Sequence, residues 1–135
     1  MRPSPILLLV FCACTTTAKQ EARSLVAAVD RYHKAENTEK PAAADELEKV
    51  SCTDDEVCDA KSACVKSASA MAKALRKQHD VETKIAAFDG SIPKDDPGAQ
   101  ALPGQLDEVD RLMKESQDAM PACDEKITAL RVKSR

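Results

Sequence analysis

Apolar residues recur along most of the chain at the three- and four-residue spacing of an amphipathic helix, and β-branched residues nowhere alternate with polar ones as in a strand. The first run of this pattern predicts a helix from about Lys19 to Glu36. A second, shorter helix is expected from about Glu39 to Val50, where Pro41 falls in the first turn and costs no hydrogen bond. The pattern therefore predicts an all-α fold.

The third predicted helix has a strong start signal. Thr53 and Glu56 have the spacing of a capping box, in which the Thr53 side chain accepts from the backbone N–H of Glu56 and the Glu56 side chain reaches back to Thr53. Neither proline nor glycine follows until Gly90. One long helix is therefore expected to continue to about Phe88.

A fourth helix is expected after a loop over 89–104, a segment that holds all three glycines and three prolines. This helix is predicted to begin near Gln105 and to run to the C-terminus. Pro121 is expected to kink or break it around Ala119–Met120, because proline removes a backbone donor and clashes one turn back. The core-facing positions keep a heptad: Leu106, Val109, Met113, Ser116, Met120, Cys123, Ile127 and Leu130.

The third and fourth helices are predicted to pack as a long antiparallel hairpin, because one register matches their apolar positions along the whole length. It pairs Val57 with Leu130, Cys64 with Cys123, Met71 with Ser116 and Met120, Leu75 with Leu112 and Met113, and Val81 with Leu106. The first two helices are expected to cover the remaining face. The predicted fold is a small helical bundle built on this hairpin.

Four cysteines outside the N-terminal segment are predicted to form two disulfides. Cys58–Cys64 is excluded, because six residues of continuous helix rise about 9 Å, more than a disulfide spans. The hairpin register favours Cys64–Cys123, which leaves Cys52–Cys58. The alternative pairing, Cys52–Cys64 with Cys58–Cys123, stays open because four cysteines allow three connectivities.

The N-terminal segment, residues 1–18, has the layout of a secretory signal peptide. Arg2 supplies a positive charge, residues 6–11 an apolar run and residues 12–18 small or polar side chains. The apolar run is too short to cross a bilayer as a helix. We therefore expect export to the periplasm or cell envelope, with residues 19–135 as a single helical domain.

Two processing outcomes fit this segment. Small residues at Thr16 and Ala18 suit cleavage before Lys19. Alternatively, Cys14 is the lipidated cysteine of a bacterial lipoprotein, with a signal that ends just before it. The short signal and the threonines that follow favour lipidation, although Phe11 stands where such signals usually have leucine. Under this hypothesis the only membrane contact is an N-terminal lipid anchor.

Composition narrows the function classes. Charged residues of both signs make up 32% of the chain, with a net charge of −3, so no basic patch indicates nucleic-acid binding. The mature part has one tyrosine, one phenylalanine and no tryptophan, which predicts a thin core of small aliphatic side chains. Disulfides formed in an oxidising compartment would reinforce such a core.

No residues are predicted to be catalytic, cofactor-binding or metal-ligating. The cysteine spacing does not match the convergent CxxC or HxxxH pairs of zinc sites, and neither a redox CxxC nor an HExxH motif occurs. The acidic pairs Asp54/Asp55 and Asp95/Asp96 lack the further oxygen ligands that calcium requires. We interpret them as helix-cap and turn residues, and we expect no metal partner.

The sequence favours a non-enzymatic cell-envelope protein with a structural or protein-binding role and an unknown protein partner. The alternative hypothesis is a carrier of a small apolar ligand or haem within the bundle. Haem in helical bundles is held by histidine and methionine, and four such side chains fall near the hairpin interior: Met71, His79, Met113 and Met120.

Overall fold

The computed structural model describes the backbone of residues 13–135 and the side chains from residue 17 onward. This part of the chain folds into four helices and contains no strand. They are α1 (Ala13–Lys34), α2 (Lys40–Glu48), α3 (Asp55–Ala87) and α4 (Pro97–Lys133). The predicted all-α bundle is confirmed.

The two long helices, α3 and α4, pack as the predicted antiparallel hairpin. Cys64 and Cys123 form a disulfide across it, with their Cα atoms 4.5 Å apart. One turn further along α3, the Ser67 hydroxyl donates to the backbone carbonyl of Ser116, 2.9 Å away. The disulfide confirms the predicted register at the middle of the hairpin, and the Ser67–Ser116 contact lies one turn away from the predicted pairing of Ser116 with Met71. The Cys52–Cys58 bond confirms the second predicted disulfide.

Helices α1 and α2 cover one face of the hairpin at the end where α3 begins and α4 finishes. We call this four-helix part the base. Ion pairs tie its edges, including Arg131 of α4 with Asp30 of α1. Its core is built of small and aliphatic side chains around one tyrosine: Ala22, Leu25, Ala28, Val29, Tyr32, Ala44, Leu47, Val57, Ala60, Cys64, Ala68, Ala72, Cys123, Ile127 and Leu130.

The predicted capping box of α3 is wrong in its partners. Asp54 is the N-cap, and its side chain accepts from the backbone N–H groups of Glu56 and Val57, each at 3.1 Å. Thr53 instead directs both its backbone N–H and its hydroxyl to the carboxylate of Glu21 in α1. Glu21 accepts the hydrogen bond from the Thr53 backbone that the capping box assigned to Glu56. The Glu56 side chain instead pairs with Lys133.

Helix α4 begins at Pro97, earlier than the predicted start near Gln105. Asp96 caps it by accepting from the backbone N–H of Ala99 at 2.9 Å, and Pro97 takes the first position, where its missing donor is not needed. The segment 97–104 was predicted as loop because of its prolines and glycines. The Asp96 cap and Pro97 at the first helical position favour a helix start here more strongly than the prolines and glycines favour a loop.

The predicted break at Pro121 is also wrong, because α4 is one continuous helix through this residue. The missing N–H of Pro121 leaves the turn before it short of one hydrogen bond. The carbonyl left without its helical donor is that of Gln117, four residues before the proline, and Gln117 is exposed. Two residues after the proline, Cys123 is fixed by its disulfide. The Ser67–Ser116 hydrogen bond before the proline and the disulfide after it attach α4 to α3 on both sides of Pro121.

The predicted pairing of Val81 with Leu106 is wrong for its second member. Val81 is 1% exposed, but Leu106 is 45% exposed. Leu102, from the segment predicted as loop, is buried instead. Leu106 lies on a side of α4 that the described chain leaves partly exposed in this part of the hairpin.

Helix α1 begins at Ala13 rather than near Lys19. Most of the predicted signal peptide lies outside the described residues, and so does the side chain of Cys14, so cleavage and lipidation both stay predictions. No helix within residues 13–135 is long and apolar enough to cross a membrane.

Removing the hairpin disulfide is expected to cost more stability than removing the short one. The Cys64–Cys123 bond closes a separation of 59 residues and Cys52–Cys58 one of only 6. Loop entropy gives about 4 kcal/mol for the first and about 2 kcal/mol for the second. Urea unfolding of the two double-alanine variants measures both values. Equal losses would contradict the entropic account.

Candidate functional site

The hairpin extends well beyond the base as a two-helix projection. The last hydrogen bonds from the hairpin to α2 are those of Arg76, which contacts the Asp45 carboxylate at 2.7 Å and the Pro41 carbonyl at 3.3 Å. We call residues 77–110 the arm. It comprises the end of α3, the connection over 88–96 and the beginning of α4.

The arm carries most of the exposed large apolar side chains. Ile85 is 40%, Ile92 51% and Leu106 45% exposed. Within the described residues only one other large apolar side chain is as exposed, Val132 at the far end of the base, at 67%. Scattered exposed apolar residues are ordinary, but three on one short projection indicate a contact surface.

Leu106 belongs to a stripe of apolar side chains that extends along α4 from residue 106 to residue 127. The stripe contains Leu106, Met113, Met120 and Ile127, spaced seven residues apart. Ile127 is buried in the core of the base, Met113 and Met120 are partly buried, and Leu106 is exposed. The cover over this stripe therefore disappears from the base towards the tip of the arm.

A groove marks the step where the arm leaves the base. It is lined by the connection between α1 and α2 and by one face of α3: Asn37, Thr38, Pro41, Leu75, Arg76, Gln78, His79 and Glu82. Leu75 and Pro41 supply its apolar surface. We call this the shoulder groove.

The shoulder groove contains His79 but none of the three methionines named with it in the haem hypothesis. The His79 side chain is exposed, whereas the Met120 sulfur lies beside the Ser67 hydroxyl between α3 and α4, at 3.8 Å. The structure thus does not bring this histidine and this methionine together.

A larger groove between α3 and α4 is dominated by charge. Arg111 makes ion pairs with Glu108 at 2.7 Å and with Glu115 at 3.2 Å. The hydrogen bonds that Arg111 donates to the Glu108 carboxylate lower the pKa of Glu108 and raise the pKa of Arg111. These two ion pairs of Arg111 lie along one exposed helix, so we interpret them as surface stabilisation of α4.

The predicted acidic pairs contribute to helix starts. Asp54 caps α3 and Asp96 caps α4, which accounts for one member of each pair. Within the described residues no group of three or more histidine, cysteine or acidic side chains is placed to hold a metal ion.

Sequence reasoning missed the exposed isoleucines of the arm. Ile92 stands in a segment of proline, glycine and charged residues, where an apolar side chain has no helix face to join. An isolated apolar residue in such a segment is a signal of an exposed side chain that the sequence does contain. Ile85 gave none, because it continues the apolar spacing of α3 and is exposed only through its position near the tip.

Glu21 was also missed, although it connects α1 to the start of α3. Its carboxylate accepts from Thr53 N–H at 2.8 Å, Thr53 Oγ1 at 2.7 Å and Asp54 N–H at 3.1 Å. These hydrogen bonds, led by the one from the Thr53 backbone, lower the pKa of Glu21. The bonds stabilise the charged carboxylate and so hold the start of α3 against α1.

Replacing Glu21 is expected to weaken the base in a pH-dependent way. A lowered pKa in the folded protein stabilises it above the ordinary glutamate pKa of about 4.3, and this stabilisation is lost as the pH falls through the folded value. The Glu21→Gln variant should therefore show a lower urea midpoint at pH 7 and a smaller loss of stability below pH 4.3 than the native protein.

The matched control is Glu48→Gln, because Glu48 is exposed at the end of α2 and makes no side-chain hydrogen bond or ion pair to the described residues. Its midpoint and pH profile should follow the native protein. Identical pH profiles for all three proteins would show that Glu21 does not carry this effect.

The chain was compared with family models, curated proteins and solved structures. No family model, curated protein or solved structure matches the chain.

Proposed function

We propose that the chain is a non-enzymatic, exported protein of the cell envelope that binds a protein partner through its arm. The observation that carries this proposal is the exposure of three large apolar side chains, Ile85, Ile92 and Leu106, on one short projection. Exposed apolar side chains gathered in this way favour a contact surface over a solvated one.

Export is supported by the two disulfides. Both join helices or helix ends in a bundle whose core is made mainly of alanine, valine and leucine. Such cross-links persist in oxidising compartments and are rare in the cytosol. The apolar run near the N-terminus supports the same location, and lipidation at Cys14 would attach the base end of the molecule to a membrane.

The alternative carrier function remains a hypothesis. Its ligand would have to enter between helices, and the apolar surface nearest to His79 is the shoulder groove, which opens on the molecular surface. No contact of the described side chains favours haem or an apolar ligand over the protein-binding role.

Photo-cross-linking in the native host tests the binding role. A photoreactive amino acid at Ile92 is expected to capture a protein, because this side chain is at the tip of the arm. The matched control is the same substitution at Val132, which is equally aliphatic and more exposed but lies on the base. Cross-linked products are identified by mass spectrometry of the envelope fraction.

Defined products from Ile92 and none from Val132 would support the proposal. Products from neither position, or the same products from both, would contradict it. Recovery of the mature protein in the cytosolic fraction with reduced cysteines would contradict the exported location.

A further inference from the structure

The uncovered face of the arm continues a face that is covered in the base. Along α4, the stripe begins at Ile127 in the core of the four-helix base, and it reaches Leu106, which is 45% exposed, in the arm. A four-helix cross-section in the base therefore becomes a two-helix cross-section in the arm. Two further helices of about the arm's length would restore it.

The arm itself has the dimensions of the missing layer. From Lys77 to Ala87, α3 rises about 15 Å, and the first turns of α4 return alongside it. A second arm laid antiparallel on this face would place two helices where α1 and α2 stand in the base. Its tip would then reach the shoulder groove.

The tip and the shoulder groove both present apolar surface. Ile92 projects from the connection over 88–96 and is 51% exposed. The groove opposite its expected position has Leu75 and Pro41 as apolar surface, with Thr38 on its rim. An aliphatic knob and an apolar groove thus stand one arm length apart on the same chain.

We propose that the partner of the arm is a second copy of this chain, in a two-fold symmetric dimer with overlapping antiparallel arms. In such a dimer each Ile92 enters the shoulder groove of the other copy, and the two Leu106 side chains become buried between the arms. The contact is self-complementary, so it closes at two copies instead of forming a filament. This inference rests on the proposed binding role of the arm.

Sedimentation equilibrium of the disulfide-intact mature protein tests the dimer. The native protein is expected to sediment as a dimer. Ile92→Asp and Leu106→Glu should each raise the dissociation constant about tenfold or more, because a charge replaces an apolar side chain at the contact. The control Val132→Glu changes an exposed residue of the base and should remain dimeric.

Cross-linking between two different single-cysteine variants tests the antiparallel geometry. Thr38 lies at the shoulder groove and Ser91 beside Ile92, and both side chains are exposed. A mixture of Thr38→Cys and Ser91→Cys should form a covalent dimer on oxidation, whereas neither variant alone should. Non-reducing peptide mapping confirms that Cys52–Cys58 and Cys64–Cys123 are retained, and helical circular dichroism confirms folding.

Three results would overturn the inference: a native monomer up to about 1 mM, a dimer that is indifferent to both arm variants, or self-cross-linking by Ser91→Cys alone. A native monomer whose arm captures another envelope protein in the host would overturn the second copy as partner and leave the binding role intact. Capture of nothing by a monomer would overturn both.

Discussion

The close approach of α3 and α4 is the constraint on which the rest of the bundle depends. Their shared face includes small residues, such as Ala60, Ser67 and Ser116, and the Cys64–Cys123 bond fixes its register. Small side chains allow the helix backbones to come close but bury little apolar area each. The disulfide and the buried serine hydrogen bonds offset that deficit, and they attach α4 to α3 on both sides of Pro121.

Unequal helix lengths then create the arm. α3 and α4 have 33 and 37 residues, whereas α1 has 22 and α2 only 9. A layer formed by α1 and α2 cannot cover a hairpin of that length, so part of the hairpin must remain a pair of helices. The base keeps its geometry through local contacts, among them the Glu21 carboxylate at the start of α3, which leaves the arm as the surface available for binding.

The sequence predicted what depends on periodicity along one helix or between two adjacent ones. The Cys64–Cys123 pair followed from the heptad register, and Cys52–Cys58 followed by elimination. It did not predict contacts that depend on the third dimension. Glu21 lies 32 residues before Thr53, and nothing in their local sequence connects them. The start of α4 at Pro97 was missed for another reason, because composition was given more weight than the cap at Asp96.

The wrong prediction for Leu106 has a physical explanation that bears on assembly. Heptad spacing reports that a position is suited to burial, but it does not say which chain provides the cover. Leu106 continues the stripe of Met113, Met120 and Ile127, and its exposure begins where α1 no longer reaches. Val132, the other strongly exposed aliphatic residue, lies off this stripe. An apolar position that keeps the heptad beyond the end of its own cover is what a helix face completed by another chain would show.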